Sequence, residues 1–210
     1  KSFLSNFWGS LQLQISILNS LLHSLHSFCV IFATLEFCFD NIFVAKNATM
    51  LKTNTTDIIY RLQIFDNLIV DEKYGMPIVK KYNGEQPIKL QAFNKAVTQK
   101  QYENTVHFYL NDKEFLRILT YPQKYLEILK HFKSVISPDF SQYIDMPSPM
   151  RFYHSFLNKA FAAYWSNNGI NVIPNVTWST PDSYDYSFTG IEKNGTIAIN
   201  CTGAKKVGLF

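Results

Sequence analysis

From residue 87 onward the chain switches between two hydrophobic rhythms. "PIKLQAF" (87–93) places apolar and polar residues in turn, the period-two pattern of a half-buried strand. "TVHFYL" (105–110) is β-branched and aromatic and reads as a second strand. "NDKEFLRIL" then opens a helix, with Asn111 as N-cap and Glu114 at capping-box spacing. Pro122 suits the first turn of another helical piece, whose Tyr125, Leu126, Leu129 and Phe132 share one face. A strand around Val135 and Ile136 follows, and Ser148 and Pro149 open a long helix in N-cap and N1 roles. Along that helix Phe152, Phe156, Ala160 and Tyr164 form one stripe, and Tyr153, Leu157, Phe161 and Trp165 the next. Arg151, His154, Ser155, Asn158 and Ser166 take the opposite, polar side. "SNNG" ends it, with Gly169 free to turn left-handed. "INVIPNVTW" (170–178) and "TIAINCTG" (196–203) supply two more strands.

Strands alternating with long helices imply parallel pairing through crossover connections. The expected fold is therefore α/β, as a closed barrel or an open sheet. A last strand at 196–203 without a following helix would leave apolar surface bare, so a C-terminal truncation is expected. Residues 50–210 are expected to form one such domain.

The first 49 residues do not fit this rhythm, because no formal charge occurs from Ser2 to Leu35. Residues 15–35 have the length of a membrane span but fit one only marginally, being interrupted by Ser16, Asn19, His23 and His26 among others. Neither a basic leader nor a clear cleavage site marks a secretory signal. An amphipathic helix with Leu11, Ile15, Leu18, Leu22, Leu25 and Cys29 on one stripe is a second reading. The preferred third reading treats 1–49 as foreign to the native product, since Met50 opens the stretch of ordinary globular composition.

Composition narrows the function classes. With 210 residues, 47% of them hydrophobic, the chain can bury a sizeable core. A net charge of +4, carried by scattered lysines, falls short of an electrostatic footprint for nucleic acid. Three cysteines without CxxC spacing support neither a disulfide framework nor a zinc site, and the expected compartment is the cytoplasm. The Asn-X-Thr triplets at Asn47, Asn54, Asn175, Asn194 and Asn200 are expected from chance in so Asn- and Thr-rich a chain.

Parallel α/β folds bind ligands where the carboxyl ends of the strands gather. Residues just past each expected strand are Asn94, then Asn111 and Asp112, then Asp139, Ser141, Tyr143 and Asp145. Trp178, Asp182 and Asp185 follow the 170–178 strand, and Thr202 falls at the end of the last one. Capping explains Asn111, Asp112 and Ser148, and turn chemistry can explain Asp139 and Asp182. Asp139, Asp145 and Asp185 are the acids expected to do more, holding a hard cation such as Mg²⁺ or acting in catalysis. Asn94, Ser141, Trp178 and Thr202 would line the ligand. The chain contains no GxGxxG, GxxxxGK[ST], HExxH or GxSxG.

The motifs "QAFNKA", "VHFYLNDKEFLRIL", "PQKYLEIL", "VISPDFSQYIDMP", "AYWSNNGINVIPNVTW" and "SYDYSFTGIEKNGTIAIN" appear in that order over more than half of the chain. Through them the chain resembles a domain-of-unknown-function family, number four-four-one-seven, of bacteria, phages and mobile elements. The resemblance implies the fold and a mobile-element context but brings no reaction with it. Two functions are expected to compete. One is a small polar or phosphate-bearing ligand site, with metal-assisted hydrolysis or nucleotide-like binding. The other is a non-catalytic accessory protein that binds nucleic acid or a host protein. A membrane role would require residues 1–49.

Overall fold

The computed structural model describes residues 30–34, 49–50 and 65–200. Residues 32–199 form one compact unit, which carries everything below. In chain order the strands are β1 (Val30–Thr34), β2 (Thr49–Met50), β3 (Ile69–Val70), β4 (Leu90–Ala92), β5 (Thr105–His107), β6 (Ser134–Ile136), β7 (Val172–Ile173) and β8 (Thr196–Asn200). The helices are α1 (Phe93–Gln99), α2 (Asp112–Phe115), α3 (Arg117–Thr120), α4 (Pro122–Leu129), α5 (Ser148–Asn167) and α6 (Tyr184–Phe188), the last entered through a 3₁₀ turn at Pro181–Ser183.

The central sheet runs β4-β5-β6-β7, every neighbouring pair parallel, in the order of the chain. It is extended at one point by a parallel bridge between Asn175 and Ala198. Because parallel crossovers are right-handed and the order never reverses, the connecting helices fall on one face of an open sheet. Val106, Val135 and Val172 form a paired row toward that face and belong to the buried core. Successive strand residues point to opposite faces, so Thr105, His107 and Ser134 look the other way. There the Thr105 and Ser134 hydroxyls bond each other at 2.6 Å.

Aromatic rings fill the helical face. Phe108 stacks on Phe93 at 4.7 Å and on Trp165 at 5.4 Å, and Phe115 meets Phe140 edge-on at 5.0 Å. A strap before β4 is pinned by Asp71, whose carboxylate accepts from the backbone N–H groups of Lys73, Tyr74 and Met76. The strap is tied to the chain end of α6, where Val79 N–H donates to the Gly190 carbonyl at 2.8 Å.

Several sequence expectations are corrected in detail. The first strand stops at Ala92, and Phe93 begins a helix instead of ending the strand. The helix expected over 111–119 is two four-residue helices broken at Leu116. Asn111 does cap, accepting from Lys113 N–H, but the Glu114 side chain bonds Asn94 and closes no capping box. α5 begins at Ser148, with Pro147 in the cap position and no side-chain cap. On its polar side Arg151, Ser155 and Asn158 are buried, because α6 and the loop after β6 cover them, while Tyr153 of the apolar stripe is exposed. Only Val172–Ile173 of the 170–178 stretch is strand, since Pro174 cannot donate to a ladder. Gly169 is left-handed as expected, with φ 87°. Val30–Thr34 is extended, so it does not continue a spanning helix through residue 34. Among the described residues no helix is long and apolar enough to cross a membrane. The remaining expectations for residues 1–49, and that for Thr202, lie outside the described residues.

Candidate functional site

Because β5, β6 and β7 are parallel, the residues that follow them reach one edge of the sheet. This edge carries His107 and Tyr109 at the end of β5, Ser137 and Asp139 just past β6, and Asn175 and Thr177 just past β7. They are joined by hydrogen bonds. Tyr109 Oη donates to Asn175 Oδ1 at 3.1 Å, and Asn175 Nδ2 donates to Asp139 Oδ1 at 2.8 Å. Thr177 Oγ1 donates to the same Asp139 oxygen at 2.5 Å. The Asn175 backbone N–H donates to Ser137 Oγ at 2.8 Å. Accepting from a phenol while donating to a carboxylate fixes the orientation of the Asn175 amide.

Burial grades across this group. Tyr109, Ser137 and Asn175 are buried, whereas His107, Asp139 and Thr177 are half-buried. The His107 ring lies nearly parallel to Tyr109, with centroids 5.4 Å apart. Tyr109 N–H donates to His107 Nδ1 at 3.2 Å, so Nδ1 is an acceptor and the neutral ring carries its proton on Nε2. Burial pushes the imidazole down to about 4, which keeps it neutral at physiological pH. The edge thus presents one carboxylate among neutral donors and acceptors.

Of the residues expected at the site, Asp139 belongs to this network. Ser141 lies nearby, but its N–H and hydroxyl both donate to Asp112, which ties the loop after β6 to the start of α2. The Ser141 carbonyl accepts from His154 Nδ1 at 2.5 Å. Asn94 donates to Glu114 at 2.7 Å. Trp178 packs its ring between Tyr184 and Phe188. Asp145 is exposed in the loop before α5. Asp185 serves the strap: it pairs with Lys73 Nζ at 2.5 Å and accepts from Tyr74 Oη at 2.7 Å, and the Lys73 ammonium holds its carboxyl below the usual range. Among the described residues no group of three His, Cys, Asp or Glu side chains is set to hold a metal ion.

His107, Tyr109, Asn175 and Thr177 were not among the expected site residues. Their signal was present: in "TVHFYL" His107 and Tyr109 alternate with the core residues Val106 and Phe108. Asn175 and Thr177 alternate with the buried Val176 in the same way.

The family model described as Domain of unknown function (DUF4417) matches residues 69–209. The "Gene 1 protein" of Mycobacterium phage L5 is 34% identical over 100 residues, which cover 48% of this chain and 44% of that protein. The "Gene 1 protein" of Mycobacterium phage D29 is 33% identical over 100 residues, covering 48% of this chain and 37% of that protein. The chain thus matches less than half the length of these curated relatives. No solved structure matches.

Proposed function

For a chain that belongs to the family described as Domain of unknown function (DUF4417), we propose that the carboxyl edge of the sheet binds a small ligand of nucleobase or nucleoside type. The observation that carries this reading is the Tyr109–Asn175–Asp139–Thr177 network at the ends of neighbouring parallel strands. Its chemistry favours a neutral partner with both donors and acceptors: a carboxamide, two hydroxyls, a neutral imidazole and a single carboxylate. The nearly parallel His107–Tyr109 pair adds a flat aromatic surface next to these groups. The reading includes no metal, since it needs no cation to account for any group in the network.

The test is calorimetric titration with a panel of nucleosides. Asn175→Ala removes both an acceptor and a donor, and the affected hydrogen bonds are worth about 1.5–3 kcal/mol where a charge takes part. The expected result is at least about tenfold weaker binding in Asn175→Ala and in Asp139→Asn. Unchanged affinity in both variants overturns the reading. So does a preference for oligonucleotides that weakens steeply with salt, the mark of phosphate contacts.

A further inference from the structure

The hydrogen bonds of the candidate site leave one buried acceptor over. Tyr109 spends its hydroxyl proton on Asn175 Oδ1, and Thr177 spends its own on Asp139 Oδ1. The two Asn175 Nδ2 protons go to Asp139 Oδ1 at 2.8 Å and to Thr177 Oγ1 at 3.0 Å. Three residues past Asp139 stands Gln142, 7% exposed, whose Nε2 donates to the Thr177 carbonyl at 2.7 Å. That bond fixes the carboxamide, because a flipped amide would set oxygen against oxygen. Ser141, the residue before it, is tied to Asp112 through its N–H and its hydroxyl, so the backbone that carries Gln142 is held as well. Oε1, on the same carbon as Nε2, is then buried with no hydrogen-bond partner among the described residues. A carbonyl oxygen buried in this way has already lost its water in the free protein. A ligand N–H that meets it gains a hydrogen bond with no hydration to strip from the acceptor.

We propose that Gln142 Oε1 sets the specificity of the site by accepting from the exocyclic amino group of a nucleobase such as adenine or cytosine. The inference rests on the nucleoside reading of the Asp139 network and names the class of base within it. With the protons of Tyr109, Thr177 and Asn175 spent inside the protein, the ligand supplies the N–H. An amino group on a neutral ring does so without the desolvation cost of an ammonium. The base reaches Oε1 by displacing the tip of the loop, where Tyr143 and Ile144 are exposed.

The experiment is calorimetric titration of the full chain, wild type and Gln142→Met, with adenosine and cytidine and with the counterpart of each that lacks only the amino group. In whichever pair binds, wild type should hold the amino-bearing member at least about tenfold more tightly. Gln142→Met keeps the length of the side chain without the acceptor, and should bind the two members within about twofold of each other. A merely structural Gln142 would weaken both alike and leave their ratio unchanged, and that result overturns the inference. If Gln142→Met does not fold, the Gln142 side-chain amide resonances of wild type decide. They should shift with the amino-bearing nucleoside and stay in place with its counterpart, and equal shifts overturn the inference. Equal affinity of wild type for both members, with binding still weakened in Asn175→Ala, removes the role of Gln142 and leaves the nucleoside site standing. Binding of no nucleoside at all removes both.

Discussion

His107 gives the candidate site a pH signature that can be worked out in advance. Its ring accepts from Tyr109 N–H through Nδ1, and burial lowers it from 6.5 to about 4. In the unfolded chain the imidazole takes up its proton near 6.5, while the folded protein resists until about 4. Between those values the unfolded state binds more protons, so stability falls as pH falls. The contribution is present in full above 6.5, is lost progressively down to about 4, and changes no further below that. At 1.36 kcal/mol per decade the loss amounts to about 3 kcal/mol. Carboxylates titrate over the same range, so the comparison must be with His107→Gln, in which their effects cancel. Urea denaturation at half-unit pH steps from 4 to 7 measures the difference between the two proteins. Wild type should lose stability relative to the variant at up to about 1.4 kcal/mol per pH unit. Parallel curves for the two proteins, or a His107 ring that titrates near 6.5 by NMR, would refute the burial argument and with it the neutral character assigned to the site.

Three further outcomes follow from the packing. Lys159, pushed down to about 7 chiefly by burial, costs the fold most below that pH and progressively less as pH rises toward 10.5. Lys159→Met should therefore raise the melting temperature more at pH 6 than at pH 9, and an equal gain at both contradicts this. Asn158 accepts from Phe140 N–H at 2.8 Å and donates to the Phe140 carbonyl at 3.3 Å, deep under the loop that leads to Asp139. Asn158→Ala strands both backbone groups and should cost about 2–4 kcal/mol in denaturant, with less than about 1 kcal/mol refuting the clamp. Gly190 has φ 81°, and a Cβ there would come within 2.4 Å of the Pro77 carbonyl oxygen. Gly190→Ala should cost at least about 1–3 kcal/mol by loosening the strap, and a neutral result refutes the close approach.

The architecture was legible because the two hydrophobic periods differ so clearly. Val106 beside Phe108, and the apolar ladder of 152–165, can only be buried on one face of a sheet and along a helix. Strand polarity followed from the helices between the strands, and it places Asp139 at the carboxyl edge of the sheet. What the sequence hid was tertiary. Asp185 looked like a rim acid, but its partner Lys73 lies 112 residues away in the chain. Nothing local marks α6, the five-residue helix entered through Pro181 and Asp182 that helps bury the polar side of α5. His107 and Asn175 resembled ordinary strand residues until pairing across β5, β6 and β7 placed them in one network.

The most direct test of the nucleoside site is an amide correlation spectrum of the chain recorded with and without saturating nucleoside. The account predicts shifts centred on Tyr109, Asp139, Asn175 and Thr177, fading toward the opposite edge of the sheet near Lys89 and Lys133. Shifts centred on that opposite edge, or a spectrum that no nucleoside alters, would contradict it.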